Sequence, residues 1–104
     1  MNKFSLSILA MSCVLLAAGA AHAGGAADAG KTKSEACADC HGDDGKGDDK
    51  NPAIAGMSTD KFTKAMGEYQ AGTRTKSSKM IKEAKALSAA DIADLAAYYA
   101  TLKP

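Results

Sequence analysis

Two thiols and an imidazole fall within five residues at Cys37-Ala38-Asp39-Cys40-His41. On a helical turn these side chains stand at i, i+3 and i+4 and so share one face. Three readings meet that description: a thiol redox pair, part of a zinc site, and the attachment point of a covalently bound haem. The rest of the chain has to separate them.

The N-terminus bears on the compartment. Met1-Asn2-Lys3 gives a short positive start, the run from Phe4 to about Ala21 is apolar apart from a few serines, and Ala21-His22-Ala23 offers small residues where signal peptidase reads them. The sequence therefore predicts a signal peptide over residues 1–23, cleaved after Ala23, an exported periplasmic product, and a mature domain over residues 24–104. A retained membrane helix needs about 20 apolar residues. The run here is barely that long and is followed by Gly24-Gly25, so no integral membrane segment is expected after processing. Processing also discards Cys13 and His22, leaving Cys37, Cys40 and His41 as the remaining thiols and imidazole.

The whole chain carries 13 basic and 12 acidic side chains. Without Lys3 the mature polypeptide is formally neutral, which argues against nucleic acid as a partner, because such binders carry a basic surplus. Its length allows one domain, and so short a chain buries little surface without a staple. The aromatic inventory past the leader is Phe62, Tyr69, Tyr98 and Tyr99, tryptophan is absent and alanine is plentiful. A disulfide between cysteines three apart would close a tiny, strained loop and hardly constrain the unfolded chain. Something other than side chains has to fill the middle.

No strand pattern emerges, and the mature chain reads as short helices joined by polar loops. The clearest helix spans about Ala89 to Leu102. Ser88 and Asp91 form a capping box, Leu87 and Ile92 a hydrophobic staple, and Ile92, Leu95, Ala96, Tyr99 and Leu102 recur at helical spacing. A second helix begins near Ser58, carries the apolar stripe Phe62, Ala65, Met66 and Tyr69, and stops at Gly72. A third leads from about Ala27 into the cysteines, although Gly30 and the polar run Lys31 to Glu35 weaken it. Gly42 to Asn51 reads as a solvated glycine and aspartate loop, and Thr73 to Ala86 as a lysine and serine segment with room for a helical turn or more.

With this frame the three readings separate. A structural zinc site needs four ligands, and the usual second ligand pair is missing. A thioredoxin-like pair expects a βαβ setting that the pattern lacks. Haem attachment needs what is present: a thiol for each of two vinyl groups and an adjacent imidazole for the iron, in a chain bound for the side of the membrane where such haem is attached.

A haem held by His41 has a second axial position, and its occupant separates an electron carrier from a gas-binding or peroxidatic protein. Three methionines remain in the mature chain. Met66 lies on an apolar helix stripe, where methionine commonly packs, and Met57 follows Ala55-Gly56 at a helix start. Met80 sits in a segment so rich in Lys, Ser and Thr that a thioether has little reason to be buried there without a partner, and it is the preferred ligand of the three.

Four stretches in order now carry a resemblance: CADCHG at Cys37 to Gly42; Pro52-Ala53-Ile54-Ala55-Gly56; Tyr69-Gln70-Ala71-Gly72-Thr73-Arg74; and Met80 followed by Ala84 to Ile92 and Leu95-Ala96-Ala97-Tyr98-Tyr99. Over nearly all of the mature chain the sequence resembles the small class I bacterial cytochromes c of the c553, c5 and c4 types. The resemblance implies an all-α class I cytochrome c fold, short helices wrapped around one covalently bound haem c. It implies thioethers at Cys37 and Cys40, iron ligation by His41 and Met80, a Pro52 carbonyl accepting the His41 Nδ1 hydrogen bond, and Arg74 near the haem propionates, where the competing reading is a solvated charge. Ser34 and Glu35 stand where many relatives carry an aromatic.

The expected function is one-electron transfer without substrate chemistry, between redox partner proteins such as a flavoprotein or a membrane oxidoreductase. Two alternatives stay open: a haem subunit of a flavocytochrome c sulfide dehydrogenase, and an open-site haem protein that binds a small gas or peroxide. Charge is unevenly placed, with Asp39, Asp43, Asp44, Asp48 and Asp49 following the cysteines and Lys76, Lys79, Lys82 and Lys85 flanking Met80. Such a field can orient docking on an acidic partner; keeping an alanine-rich surface soluble is the other use for those lysines.

Overall fold

The computed structural model describes residues 25–104, so the leader expected at 1–23 lies outside the described residues. Among the described residues there are five helices and no strand: α1 (Ala27–Lys33), α2 (Glu35–His41), α3 (Thr59–Ala71), α4 (Ser78–Lys85) and α5 (Ala89–Ala100). The all-α expectation holds.

Local chemistry sets most of the helix ends. In α5 the Ser88 hydroxyl accepts from the Asp91 N–H at 3.0 Å and the Asp91 carboxylate accepts from the Ser88 N–H at 3.0 Å, the reciprocal capping box. The helix stops at Ala100 rather than Leu102. Thr101 Oγ1 donates to the Tyr98 carbonyl at 2.6 Å and the Gly56 N–H donates to the Tyr99 carbonyl at 2.8 Å, so last-turn acceptors are taken by other partners than a continuing helix. In α3, Ser58 caps the start by accepting from Lys61 N–H, and left-handed Gly72 ends it, with the Glu68 carbonyl accepting from Thr73 and Arg74.

The helix expected to run from Ala27 into the cysteines is two segments meeting at Ser34. The Ser34 hydroxyl donates back to the Lys31 carbonyl at 2.7 Å, a side-chain bond that competes with the helical ladder and bends it. Gly30 is buried, and its lack of a side chain allows α1 and α5 to cross closely: a β-carbon there would overlap the Asp94 carbonyl oxygen and crowd Tyr98 Cβ. The crossing is tied by Asp94, which accepts from the Ala26 N–H at 2.8 Å, and by Lys33, which reaches Asp91 at 2.9 Å and Asp94 at 2.6 Å. These ion pairs are partly open to water and specify the crossing more than they stabilise it.

The core joins α3, α4 and α5 through Phe62, Met66, Ala84, Ile92, Leu95, Ala96 and Tyr99. Leu95 and Tyr99 are fully buried, and burial of a leucine of this kind contributes about 2 kcal/mol. Tyr99 stacks on Phe62 at 5.8 Å between centroids and meets Tyr98 edge-on at 5.1 Å, pairs worth about 1 kcal/mol each beyond their area. A second group, including Cys37, Ile54, Met57, Tyr69, Met80 and Leu87, packs on this core but stays only partly buried. The core is finished on one side and open on the other.

The loop from Gly42 to Asn51 is a mostly exposed turn, with Asp48 accepting from the Lys50 and Asn51 N–H groups at 2.8 Å each. It is pinned inward where the Gly45 carbonyl accepts from Ile54 and Ala55 and where the Gly47 N–H donates to the His41 carbonyl at 2.8 Å.

Candidate functional site

The open side of the core is a cavity of about 470 Å³, within the usual range for a small-molecule or cofactor site. Helix α2 sends Cys37, Cys40 and His41 to its wall; the following loop sends Pro52 and Met57, α3 sends Phe62, Met66 and Tyr69, and the far segment sends Arg74 and Met80. The six residues singled out for the site by the sequence, Cys37, Cys40, His41, Pro52, Arg74 and Met80, therefore line one space, although the chain spreads them over more than forty positions.

His41 is 7% exposed. Its Nδ1 donates to the Pro52 carbonyl at 2.8 Å, which fixes the ring and the tautomer and leaves Nε2 with its lone pair and no hydrogen bond among the described residues. A buried imidazole held this way is prepared to ligate a metal through Nε2. Among the described residues no three His, Cys, Asp or Glu side chains converge on a common point, so the zinc arrangement weighed above finds no ligand set.

Cys37 is half-buried against the core and Cys40 is partly exposed, both as free thiols. Burial pushes the Cys37 thiol above its ordinary range, against a hydrogen bond with Tyr99 that lowers it. A redox-active pair needs the opposite, a thiol shifted down so that thiolate is available. Lys79 Nζ lies 3.4 Å from Cys40 Sγ, bringing the start of α4 across to α2.

Met80 belongs to a two-turn helix in the segment that the sequence had left open. Its N–H donates to the Ser77 hydroxyl at 3.1 Å, an N-cap that starts α4 and sets the methionine in the first turn, half-buried against the core. Lys79, Lys82 and Lys85 face solvent, while Ala84 is fully buried. Met66 is a core residue, 6% exposed, and Met57 is partly buried in the loop.

Arg74 is not a freely solvated charge. Its guanidinium donates to Glu68 through Nε at 3.0 Å and Nη2 at 2.9 Å, and lies 5.5 Å over the Tyr69 ring at the cavity edge. Tyr69 and Glu68 hold it in place.

Local patterning assigns no role to Ser77, Gln70 or Lys33. Ser77 was recoverable as a serine three residues before Met80. Gln70 and Lys33 act on partners 14 to 61 residues away, which no local pattern announces.

The family model for cytochrome c matches residues 27–103. The chain belongs to the cytochrome c family. It is 39% identical over 104 residues to cytochrome c4 of Pseudomonas aeruginosa, covering 99% of this chain and 50% of that protein. To cytochrome c4 of Azotobacter vinelandii it is 36% identical over 113 residues, covering 100% of this chain and 52% of the relative. The fold is similar to that of reduced recombinant cytochrome c4 from Pseudomonas stutzeri, with a TM-score of 0.68 at 30% identity, over 76% of this chain and 46% of that one. It is also similar to cytochrome c4 of Acidithiobacillus ferrooxidans, with a TM-score of 0.67 at 33% identity, over 78% and 51%. The chain thus spans about half the length of the curated relatives it matches.

This cytochrome c has the class I fold and carries haem c attached covalently, and the cavity fits that group. Its wall is largely apolar, two thiols stand one helical turn apart on it, and the buried imidazole of His41 has a nitrogen without a hydrogen bond among the described residues. Among the described residues no helix is long and apolar enough to cross a membrane.

Proposed function

We propose that the chain is an exported, periplasmic one-electron carrier whose haem is joined to Cys37 and Cys40 and whose iron lies between His41 and Met80, the leader ending at Ala23. Bound haem supplies a ferric/ferrous couple, and the protein's own work is to hold two axial groups still and to keep water away. Pro52 orients His41; Ser77 starts the helix that carries Met80; Phe62, Met66 and Leu87 supply apolar wall. A neutral thioether opposite an imidazole favours ferrous iron and raises the potential relative to two imidazoles. Arg74, steadied by Glu68 and Tyr69 at the cavity edge, would meet the anionic edge of the haem.

The observation that carries this reading is a buried His41, fixed through Nδ1, sharing an apolar cavity with the half-buried thioether of Met80. The test is spectroscopic. The ferric holoprotein is expected to show the near-infrared charge-transfer band of thioether-to-iron ligation and to lose it in Met80→Ala. A band that is absent from the unaltered protein, or that survives the substitution, removes Met80 from the iron. Mass spectrometry of the exported product checks the cleavage after Ala23.

A further inference from the structure

The helix that carries Met80 is eight residues long, too short to persist by its own hydrogen bonds. Its first turn is held by Ser77, while its last carbonyls, as at any helix end, need partners from elsewhere. The Ala86 and Leu87 N–H groups reach the Glu83 and Ala84 carbonyls at 3.2 and 3.1 Å, and one side chain ties this exit to α3. Gln70, half-buried near the end of α3, donates through Nε2 to the Ala84 carbonyl at 2.9 Å and to the Leu87 carbonyl at 3.0 Å.

These two acceptors bracket the exit of α4. Ala84 is fully buried, and Leu87 packs on the core and lines the cavity. The same α3 presents Phe62, Met66 and Tyr69 to that cavity, so a single amide links the wall to the element bearing the thioether. We infer that Gln70 is a positioning residue for the axial methionine: its amide clamps the end of α4 to α3, and the thioether keeps its place because the helix beneath it cannot slide or fray. This rests on the assignment of Met80 to the iron.

Geometry dictates which replacements matter. Gln70→Met keeps the length and loses the shared amide donor: the Ala84 carbonyl keeps the Leu87 N–H, and the part-buried Leu87 carbonyl loses the partner it had. Gln70→Glu puts a carboxylate against the same two oxygens and is the harsher change. In both, the native state opens more readily at α4 than elsewhere, so an external ligand displaces Met80 more easily.

The experiment titrates ferric holoprotein with imidazole and follows loss of the near-infrared thioether band, with global stability measured by denaturant on the same samples. Gln70→Met is expected to take up imidazole at about tenfold lower concentration than the unaltered protein, the size expected for one lost buried partner, and Gln70→Glu at lower concentration still. Thr101→Ala, which removes a hydroxyl bond at the far end of α5, is expected to lower global stability without changing imidazole uptake. Equal uptake by the unaltered protein and Gln70→Met overturns the inference, as does an equal gain in Thr101→Ala. A band absent from the unaltered protein, or retained in Met80→Ala, overturns the axial assignment and this inference with it, so the two failures are told apart by the starting spectrum.

Discussion

His41 and Pro52 are joined by a 2.8 Å hydrogen bond from the ring Nδ1 to the backbone carbonyl, across a loop of eleven positions whose Gly47 also donates its N–H to the His41 carbonyl. The loop therefore grips the histidine twice, once at the ring and once at the backbone. Each grip depends on a backbone shape that the aspartate and glycine sequence permits.

Gly47 has φ +70°, and a β-carbon there would collide with the Asn51 carbonyl and with Pro52. Gly47→Ala is expected to cost about 1–2 kcal/mol for the left-handed backbone alone and to displace the Pro52 carbonyl from His41. A weaker Nδ1 hydrogen bond makes the imidazole a poorer donor, so the reduction potential should rise. Denaturant unfolding and spectroelectrochemistry measure the two effects, and an unchanged potential would show that the ring keeps its orientation without this bond.

At the crossing of α1 and α5, Gly30 is irreplaceable by size. Gly30→Ala forces the helices apart and is expected to lower stability by about 1–3 kcal/mol, as overpacking does, with the Soret spectrum of the surviving folded protein unchanged. A neutral result in a denaturant melt of the holoprotein would mean that the two helices have slack.

Lys33 holds the Asp91 carboxyl down to about 2 and the Asp94 carboxyl below its usual range, with the Ser88 and Ala26 N–H groups assisting. A carboxyl lower in the folded than in the unfolded chain favours folding above its ordinary value near 3.9 and loses that contribution as pH falls toward the folded value. Acid should therefore weaken the protein between about pH 4 and pH 2. Lys33→Met should move the acid transition to higher pH, which circular dichroism along a pH series detects; coincident transitions would assign acid sensitivity to other groups.

Lys76 and Lys79 stand at the cavity edge, whereas Asp43, Asp44, Asp48 and Asp49 lie on the exposed turn after His41. Electron transfer to an acidic redox partner is expected to slow as salt rises, and to slow further in Lys79→Glu, because steering acts on encounter and is screened. A rate independent of ionic strength assigns these lysines to solubility alone.

What the sequence revealed was governed by distance along the chain. The capping box of Ser88 and Asp91 and the stop at Gly72 are local bargains among neighbours, and they were legible. The cysteine and histidine face was legible because one helical turn contains it. Gly30 read as a weakness because the chain alone cannot show the Asp94 carbonyl against it. The helix broke at Ser34 because a hydroxyl turned back onto Lys31, one of several conformations open to a serine. Arg74 could not be divided between solvent and site until Glu68 and Tyr69 were seen to hold it.

The α1 crossing carries a consequence for biogenesis. Ala26 and Asp94 are 68 positions apart, so the backing on which the cysteine-bearing turn rests comes from a stretch made long after the cysteines. Until that stretch arrives the thiols sit on a loose strand, open to whatever machinery must weld a porphyrin to them. Only a chain that already includes α5 can shut the door behind it.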